Sequence, residues 1–126
     1  MTKLTSDRDT PRRNGDQFEF EAAEEIFAGA MVCVNADGKA VPASATAGLS
    51  PVAGVAERRA AAGERVPVRR GVFAFDASSD DAPTRADIGR ECWAADDCTL
   101  KKTTAENAPA AGIILDVTDD GVWVNI

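Results

Sequence analysis

Residues 64–75 have the sequence Glu-Arg-Val-Pro-Val-Arg-Arg-Gly-Val-Phe-Ala-Phe, and this stretch decides the fold class. Apolar and polar side chains alternate along its first half, which is the period of a β-strand with one face toward a core. Gly71 interrupts the pattern, and Phe73 and Phe75 then share one face of a following strand. Because Pro67 has no N–H to donate, we expect the first strand to lie at a sheet edge or to contain a bulge.

The same alternation occurs earlier, where Phe18, Phe20 and Ala22 fall on one face of a predicted strand. Residues 24–27 are compatible with either a short helix or a bend. A second strand is predicted from residue 30, and the turn at residues 35–38 contains an Asp-Gly pair typical of a β-hairpin.

Short apolar runs separated by Gly, Pro, Asn and Asp continue to the C-terminus, and helical periodicity is weak throughout. We therefore predict an all-β protein, a small β-barrel or β-sandwich built from short hairpins, with residues 17–126 as a single domain. Residues 1–16 are polar and aperiodic. They are predicted to be an N-terminal arm, either a frayed terminus or a segment that orders against a neighbouring subunit.

One short pattern occurs twice in the chain. Residues 51–55, Pro-Val-Ala-Gly-Val, resemble residues 109–113, Pro-Ala-Ala-Gly-Ile. Since Ala and Gly are common here, the pattern alone does not establish a duplication. It does predict two similar hairpins, with Gly54 and Gly112 where two backbones approach closely.

The charge of the chain argues against two classes of partner. With 21 acidic and 14 basic residues, the formal net charge is −7. Nucleic-acid binding draws most of its affinity from cationic side chains, and anionic membranes also repel an acidic surface. No apolar run approaches the roughly 20 residues of a membrane span, and no secretory signal is recognisable. We expect neither a nucleic-acid nor a membrane partner.

The sequence does not predict an enzyme, a cofactor or a metal site. It contains no His, which excludes Ser-His and Cys-His pairs and removes the commonest zinc ligand. The paired Asp residues at 80–81, 96–97 and 119–120 all fall in predicted turns, where Asp commonly bonds to the backbone. The cysteines are predicted to be reduced thiols, with Cys33 buried.

Two Arg pairs and two Phe residues are the candidate partner-binding residues. The Arg pairs flank the predicted hairpin of residues 52–70, and they are either solvated and salt-bridged or a contact for an acidic partner surface. Trp93 and Trp123 are interpreted as core or interface anchors. The six candidate partner-binding residues are Phe18, Phe20, Arg58, Arg59, Arg69 and Arg70.

Three stretches resemble capsid cement proteins, also called head decoration proteins, of tailed bacteriophages and prophages. The first is Pro-Val-Ala-Gly-Val-Ala-Glu at residues 51–57, followed by Ala-Ala-Gly-Glu-Arg-Val-Pro-Val-Arg-Arg-Gly-Val-Phe at 61–73. The second is Ile-Gly-Arg-Glu-Cys-Trp-Ala at 88–94. The third joins Ala-Gly-Ile-Ile-Leu-Asp-Val at 111–117 to Gly-Val-Trp-Val-Asn-Ile at 121–126. The resemblance covers about residues 29–126 in order.

The resemblance implies a β-rich virion protein that docks on the outside of an assembled head and clamps neighbouring major capsid protein subunits. It implies synthesis in the bacterial host cytoplasm, a final location on the capsid exterior, and a homo-oligomer, either a dimer or a trimer. The alternatives are a small β-barrel binding module, another virion or tail component, or, least favoured, an enzyme.

Overall fold

The protein is described here from a computed structural model that covers residues 3–11 and 15–126. Within these residues, the regular secondary structure consists of ten β-strands and one short 3-10 helix, Arg85–Asp87. Residues 1, 2 and 12–14 of the predicted arm lie outside the described residues. The strands are β1 Gln17–Glu21, β2 Met31–Val34, β3 Ala40–Pro42, β4 Gly54–Ala56, β5 Arg65–Arg69, β6 Val72–Ala77, β7 Glu91–Ala94, β8 Thr99–Lys101, β9 Ala110–Thr118 and β10 Gly121–Asn125.

The strands form two groups of five along the chain. The first group is a sheet in the order β1-β5-β4-β2-β3, and the second is a closed barrel in the order β10-β6-β8-β7-β9. We call residues 16–70 the first unit and residues 71–126 the second unit. The all-β prediction is confirmed, and most strand pairs in each unit are antiparallel.

The two units have the same topology. Strands β1, β2, β3, β4 and β5 of the first unit correspond to β6, β7, β8, β9 and β10 of the second, because the closed order of the barrel can be read as β6-β10-β9-β7-β8, which matches β1-β5-β4-β2-β3. Each unit contains a hairpin, β2-β3 in the first and β7-β8 in the second. The first strand of the hairpin also pairs with the strand that follows the hairpin in the chain, so β2 pairs with β4 and β7 pairs with β9. A parallel contact then joins the first strand of each unit to the second strand of its hairpin. In the first unit this contact is the bridge Ala22–Ala40, and in the second it is the pairing of β6 with β8.

The residue register is the same as well. Val32 pairs with Gly54 in the first unit, and Cys92 pairs with Gly112 in the second. The Gly29 N–H donates to the Ala56 carbonyl at 2.8 Å, and the Gly89 N–H donates to the Ile114 carbonyl at the same distance. The repeated sequence pattern therefore belongs to two copies of one fold.

Gly54 and Gly112 occupy equivalent positions, at φ 156° and 157°. A Cβ atom on Gly54 would lie 2.6 Å from the Arg69 carbonyl oxygen, and one on Gly112 would lie 2.1 Å from that of Asn125. A side chain at either position would push two strands apart. The prediction of close backbone approach at these two glycines is confirmed.

Two clusters of buried side chains stabilise the fold. One lies inside the first unit and includes Ile26, Val66 and Val68. The other contains the core of the second unit together with first-unit residues that pack against it, among them Met31 and Val55. The second cluster thus crosses from one unit to the other, while the folding of residues 17–126 as a single domain stays a prediction.

Two local predictions need correction or refinement. Strand β5 is not an edge strand, because it pairs with β1 on one side and β4 on the other. Pro67 is accommodated because β4 ends at Ala56. The Glu57 N–H donates to the Pro67 carbonyl at 2.9 Å, and the return bond, which proline cannot make, would fall beyond the end of β4. Residues 24–27 form a bend, in which Ile26 bridges to Ala60.

Candidate interaction surfaces

The outer face of the first unit is covered by charged side chains. Outward positions of β1, β5 and the end of β4 hold Glu, Arg and Gln residues, and the Gln17 amide donates to the Glu57 carboxylate at 2.5 Å. The ion pairs on this unit are Lys39–Glu21, Arg59–Glu25, Arg65–Glu19, Arg69–Asp16 and Arg69–Glu57.

The predicted Arg contacts lie within this network. Arg58 donates to the Arg65 carbonyl at 2.6 Å, and Arg59 pairs with Glu25 while its guanidinium lies 5.0 Å from the centre of the Phe27 ring. Hydrogen bonds from Arg69 to Glu57 raise the pKa of its guanidinium. The structure therefore places three of the four predicted Arg side chains in contacts within their own unit.

Arg70 and the two predicted Phe residues differ from these. The Arg70 side chain is exposed, and its N–H donates to the Asp16 carbonyl at 2.7 Å. Phe18 and Phe20 are both half-buried, and Phe20 packs against the core of the first unit. The alternation predicted for this strand is confirmed, but it turns Phe20 toward the core, which limits its availability to a partner.

The outer face of the second unit exposes apolar side chains, and two of them replace polar residues of the first unit: Val72 is equivalent to Gln17, and Leu115 is equivalent to Glu57. Val72 is 49% exposed, Ile113 is 41% exposed and Leu115 is 45% exposed. Val72 pairs with Asn125, which in turn pairs with Ile113, so they lie in one row across β6, β10 and β9. Ile88, 39% exposed, is placed beside them by the bond from the Gly89 N–H to Ile114. We call Val72, Ile88, Ile113 and Leu115 the apolar face.

The sequence reasoning did not identify the apolar face. A signal for it was present in the run Ile113-Ile114-Leu115, because a strand with one buried face needs apolar residues only at alternate positions. Ile114 is fully buried, so its two apolar neighbours must point outward. Exposed apolar groups gathered on one face are typical of protein interaction sites.

Local structure accounts for several of the acidic and thiol groups. Asp81 accepts hydrogen bonds from the Thr103 hydroxyl and N–H, and these bonds lower the pKa of the Asp81 carboxyl. Burial raises the pKa of the Cys33 and Cys92 thiols to about 11, which suppresses their reactivity. Asp96, Asp97 and Cys98 lie close together at the tip of the β7-β8 hairpin, where Asp96 accepts a bond from the Cys98 N–H.

A shallow groove of about 420 Å³ lies beside the β2-β3 hairpin. Its walls include Asn35, Val41 and Leu49. The groove is open to solvent and is the concave feature that best fits the alternative prediction of a ligand-binding module.

The N-terminal segment preceding the first unit is exposed where it is described. Each of residues 3–11 is exposed, and the apolar side chain of Leu4 is 69% exposed. Within the described ranges, no helix is long and apolar enough to cross a membrane.

Comparison of the chain with protein-family models, curated proteins and solved structures gives no match. The resemblance to capsid cement proteins therefore depends on the sequence stretches given above.

Proposed function

We propose that this protein is a capsid cement protein that binds the outer surface of an assembled head and joins neighbouring major capsid protein subunits. The observation that carries the proposal is the combination of an exposed N-terminal segment with a strand-rich body of two like units. Residues 3–11 are exposed and lead toward β1, the outermost strand in the order of the first sheet. A segment of this kind can order on a neighbouring surface while the body stays rigid.

The motif stretches of the resemblance support the proposal by where they fall. Residues 51–73 span β4 and β5 and lead into β6, while residues 111–126 lie in β9 and β10. These are the equivalent elements of the two units, including both closely packed glycines. The resemblance thus concerns the segments on which the repeated fold depends.

A cement protein needs affinity for the assembled shell rather than for free subunits. A protein that binds only the assembled state stabilises it by mass action, and many copies on one shell act together. We propose Arg70 and Leu4 as direct contacts with the shell, because both side chains are exposed. Arg58, Arg59 and Arg69 would contribute through the charged face as a whole.

The test is co-sedimentation of the full chain with empty shells assembled from the matching major capsid protein. Saturable binding that raises the temperature at which the shells disrupt is the expected result. A chain lacking residues 1–16 and a Leu4→Ser variant should bind more weakly, whereas Leu4→Met, which keeps an apolar side chain at the same position, is the matched control and should bind normally. If the full chain never sediments with shells at any salt concentration, the cement proposal fails and a binding module using the β2-β3 groove replaces it.

A further inference from the structure

The two units contact each other through unlike parts of the repeated fold. The tip of the β7-β8 hairpin lies against the beginning of β2: the Met31 N–H donates to the Asp97 carbonyl at 2.8 Å. Residues 27–30 and Cys98 line the small depression beside this bond. The contact therefore joins the strand start of the first unit to the hairpin tip of the second.

The equivalent of each partner is left exposed at the other end of the molecule. The register makes Glu91 equivalent to Met31 and Asp37 equivalent to Asp97. Residues 88–91, which lead into β7, are exposed, and so are residues 36–39 at the tip of the β2-β3 hairpin. We call residues 88–91 the strand start of the second unit and residues 36–39 the hairpin tip of the first. One strand start and one hairpin tip thus remain uncovered in the described part of the chain.

We propose that the strand start of the second unit, with the apolar face beside it, binds the β2-β3 hairpin tip of a second copy of this chain. This contact repeats between copies the contact that joins the units within one copy. Unlike surfaces that meet in this way produce head-to-tail association, which closes into a ring or continues as a chain of copies. The inference goes beyond the proposed function and does not depend on it.

Charge and polarity both support a second copy as the occupant. Arg90 in the strand start is exposed, and Asp37 in the hairpin tip is exposed and acidic. The bond within the chain is between backbone groups, so its repetition does not require identical side chains. In the first unit the outer residues Met31 and Val55 are buried in the cluster that includes second-unit residues. Their counterparts, Glu91 and Ile113, are exposed.

The test uses charge reversal and its rescue, read by sedimentation equilibrium of the full chain. The chain is expected to show a mass that rises with concentration. Asp37→Lys and Arg90→Glu should each raise the apparent dissociation constant about five- to tenfold, because an exposed attraction becomes a repulsion. The double variant should regain most of the affinity. Asp119→Lys, which makes the same charge change in the turn between β9 and β10, is the matched control and should associate normally.

A second variant addresses the apolar part of the surface. Ile113→Ser should weaken association by about tenfold or more, since it removes an apolar side chain from the contact without touching the hairpin tip. Its thermal unfolding should resemble that of the unaltered chain, because Ile113 points away from the core.

Three results would overturn the proposal. A chain that remains monomeric up to about 1 mM has no such contact. If each single variant, Asp37→Lys and Arg90→Glu, associates as tightly as the unaltered chain, the contact lies elsewhere on the molecule. A monomeric chain whose binding to shells is lost on Arg90→Glu would show that this surface meets the capsid instead. Because the first two results concern the free chain and shell binding is measured separately, failure here is distinguishable from failure of the cement proposal.

Discussion

The two units of this protein share one backbone but have opposite outer surfaces. In the first unit, outward positions carry the residues of the ion-pair network, such as Arg69 and Glu57. In the second unit, the positions of Gln17 and Glu57 are taken by Val72 and Leu115, which are exposed and apolar. Because both units keep the same strand order and register, the outer side chains do not determine the topology. They are free to differ, and their difference separates a solvated face from a face suited to a protein contact.

The interiors of the two units differ in a compensating way. Ala40 and Ala56 of the first unit correspond to Leu100 and Ile114 of the second, and all four are buried. The smaller strand residues of the first unit pack with Ile26, which the bend between β1 and β2 brings into the core. The comparison teaches that core volume can be supplied from different segments while strand pairing is kept, as expected for densely packed interiors.

The largest effect is expected at the equivalent glycines. Gly112→Ala should lower the free energy of unfolding by about 4 kcal/mol, because a Cβ would meet the Asn125 carbonyl and the backbone has a left-handed φ. Gly54→Ala should lower it by a similar amount in the other unit. Urea unfolding followed by Trp fluorescence measures both, with soluble yield recorded for variants that fail to fold.

Gly38→Ala is the control for this prediction. Gly38 has φ +77°, but a Cβ there would meet nothing within 4 Å, so only the backbone cost of about 1 kcal/mol should remain. Equal losses at Gly112 and Gly38 would mean that the neighbouring strands can move apart, and the equivalence of the two close approaches would lose its structural importance.

A smaller loss of stability is expected when Leu100 in the core of the second unit is replaced by alanine, the residue at the equivalent position 40 of the first unit. Leu100→Ala should cost about 3 kcal/mol, since it would leave a cavity in the buried cluster to which Leu100 belongs. The reciprocal change Ala40→Leu should also destabilise, by about 2 kcal/mol, through overpacking against Ile26. Urea unfolding of both variants tests the compensation between units. A neutral Ala40→Leu would contradict it.

The smallest effect is expected on the charged face. Arg69→Met should lower the free energy of unfolding less than any of the core changes above, because its ion pairs with Glu57 and Asp16 are exposed to solvent. The loss should shrink further in about 1 M salt, which screens exposed charges. Arg85→Met, which removes the pair with Asp116 in the second unit, is the matched variant. A loss at Arg69 as large as that of Leu100→Ala would instead make the charged face a structural element.

The sequence predicted much of the fold because its signals are local. Alternation at residues 17–22 and 64–70 indicates strands, and Asp-Gly in residues 35–38 indicates the hairpin that the structure contains. Pro67 was predicted to lie at a sheet edge or a bulge, and it lies at neither, because the cost of a proline depends on where the neighbouring strand ends. That end point is set by long-range pairing of β4 with β5 and by no feature near Pro67.

The candidate surfaces were less predictable. For Arg58, Arg59 and Arg69 the sequence left open whether they are salt-bridged or contact an acidic partner. Their partners within the chain include Arg65 and Glu25, and sequence distance does not indicate such pairs. The apolar face was missed for the same reason: its members come from three separate strands or turns of the second unit. Only pairing across β6, β10 and β9 brings them together.

By itself, the sequence determined the all-β class, the positions of most strands and the two glycines at which backbones meet. These follow from period-two alternation, turn residues and the absence of a Cβ, all of which act within a few residues. The tertiary structure decided that the strands form two equivalent units, that one outer face is charged and the other apolar, and that one strand start and one hairpin tip stay exposed. Those features depend on contacts between residues far apart in the chain, for which a single sequence carries no local signal.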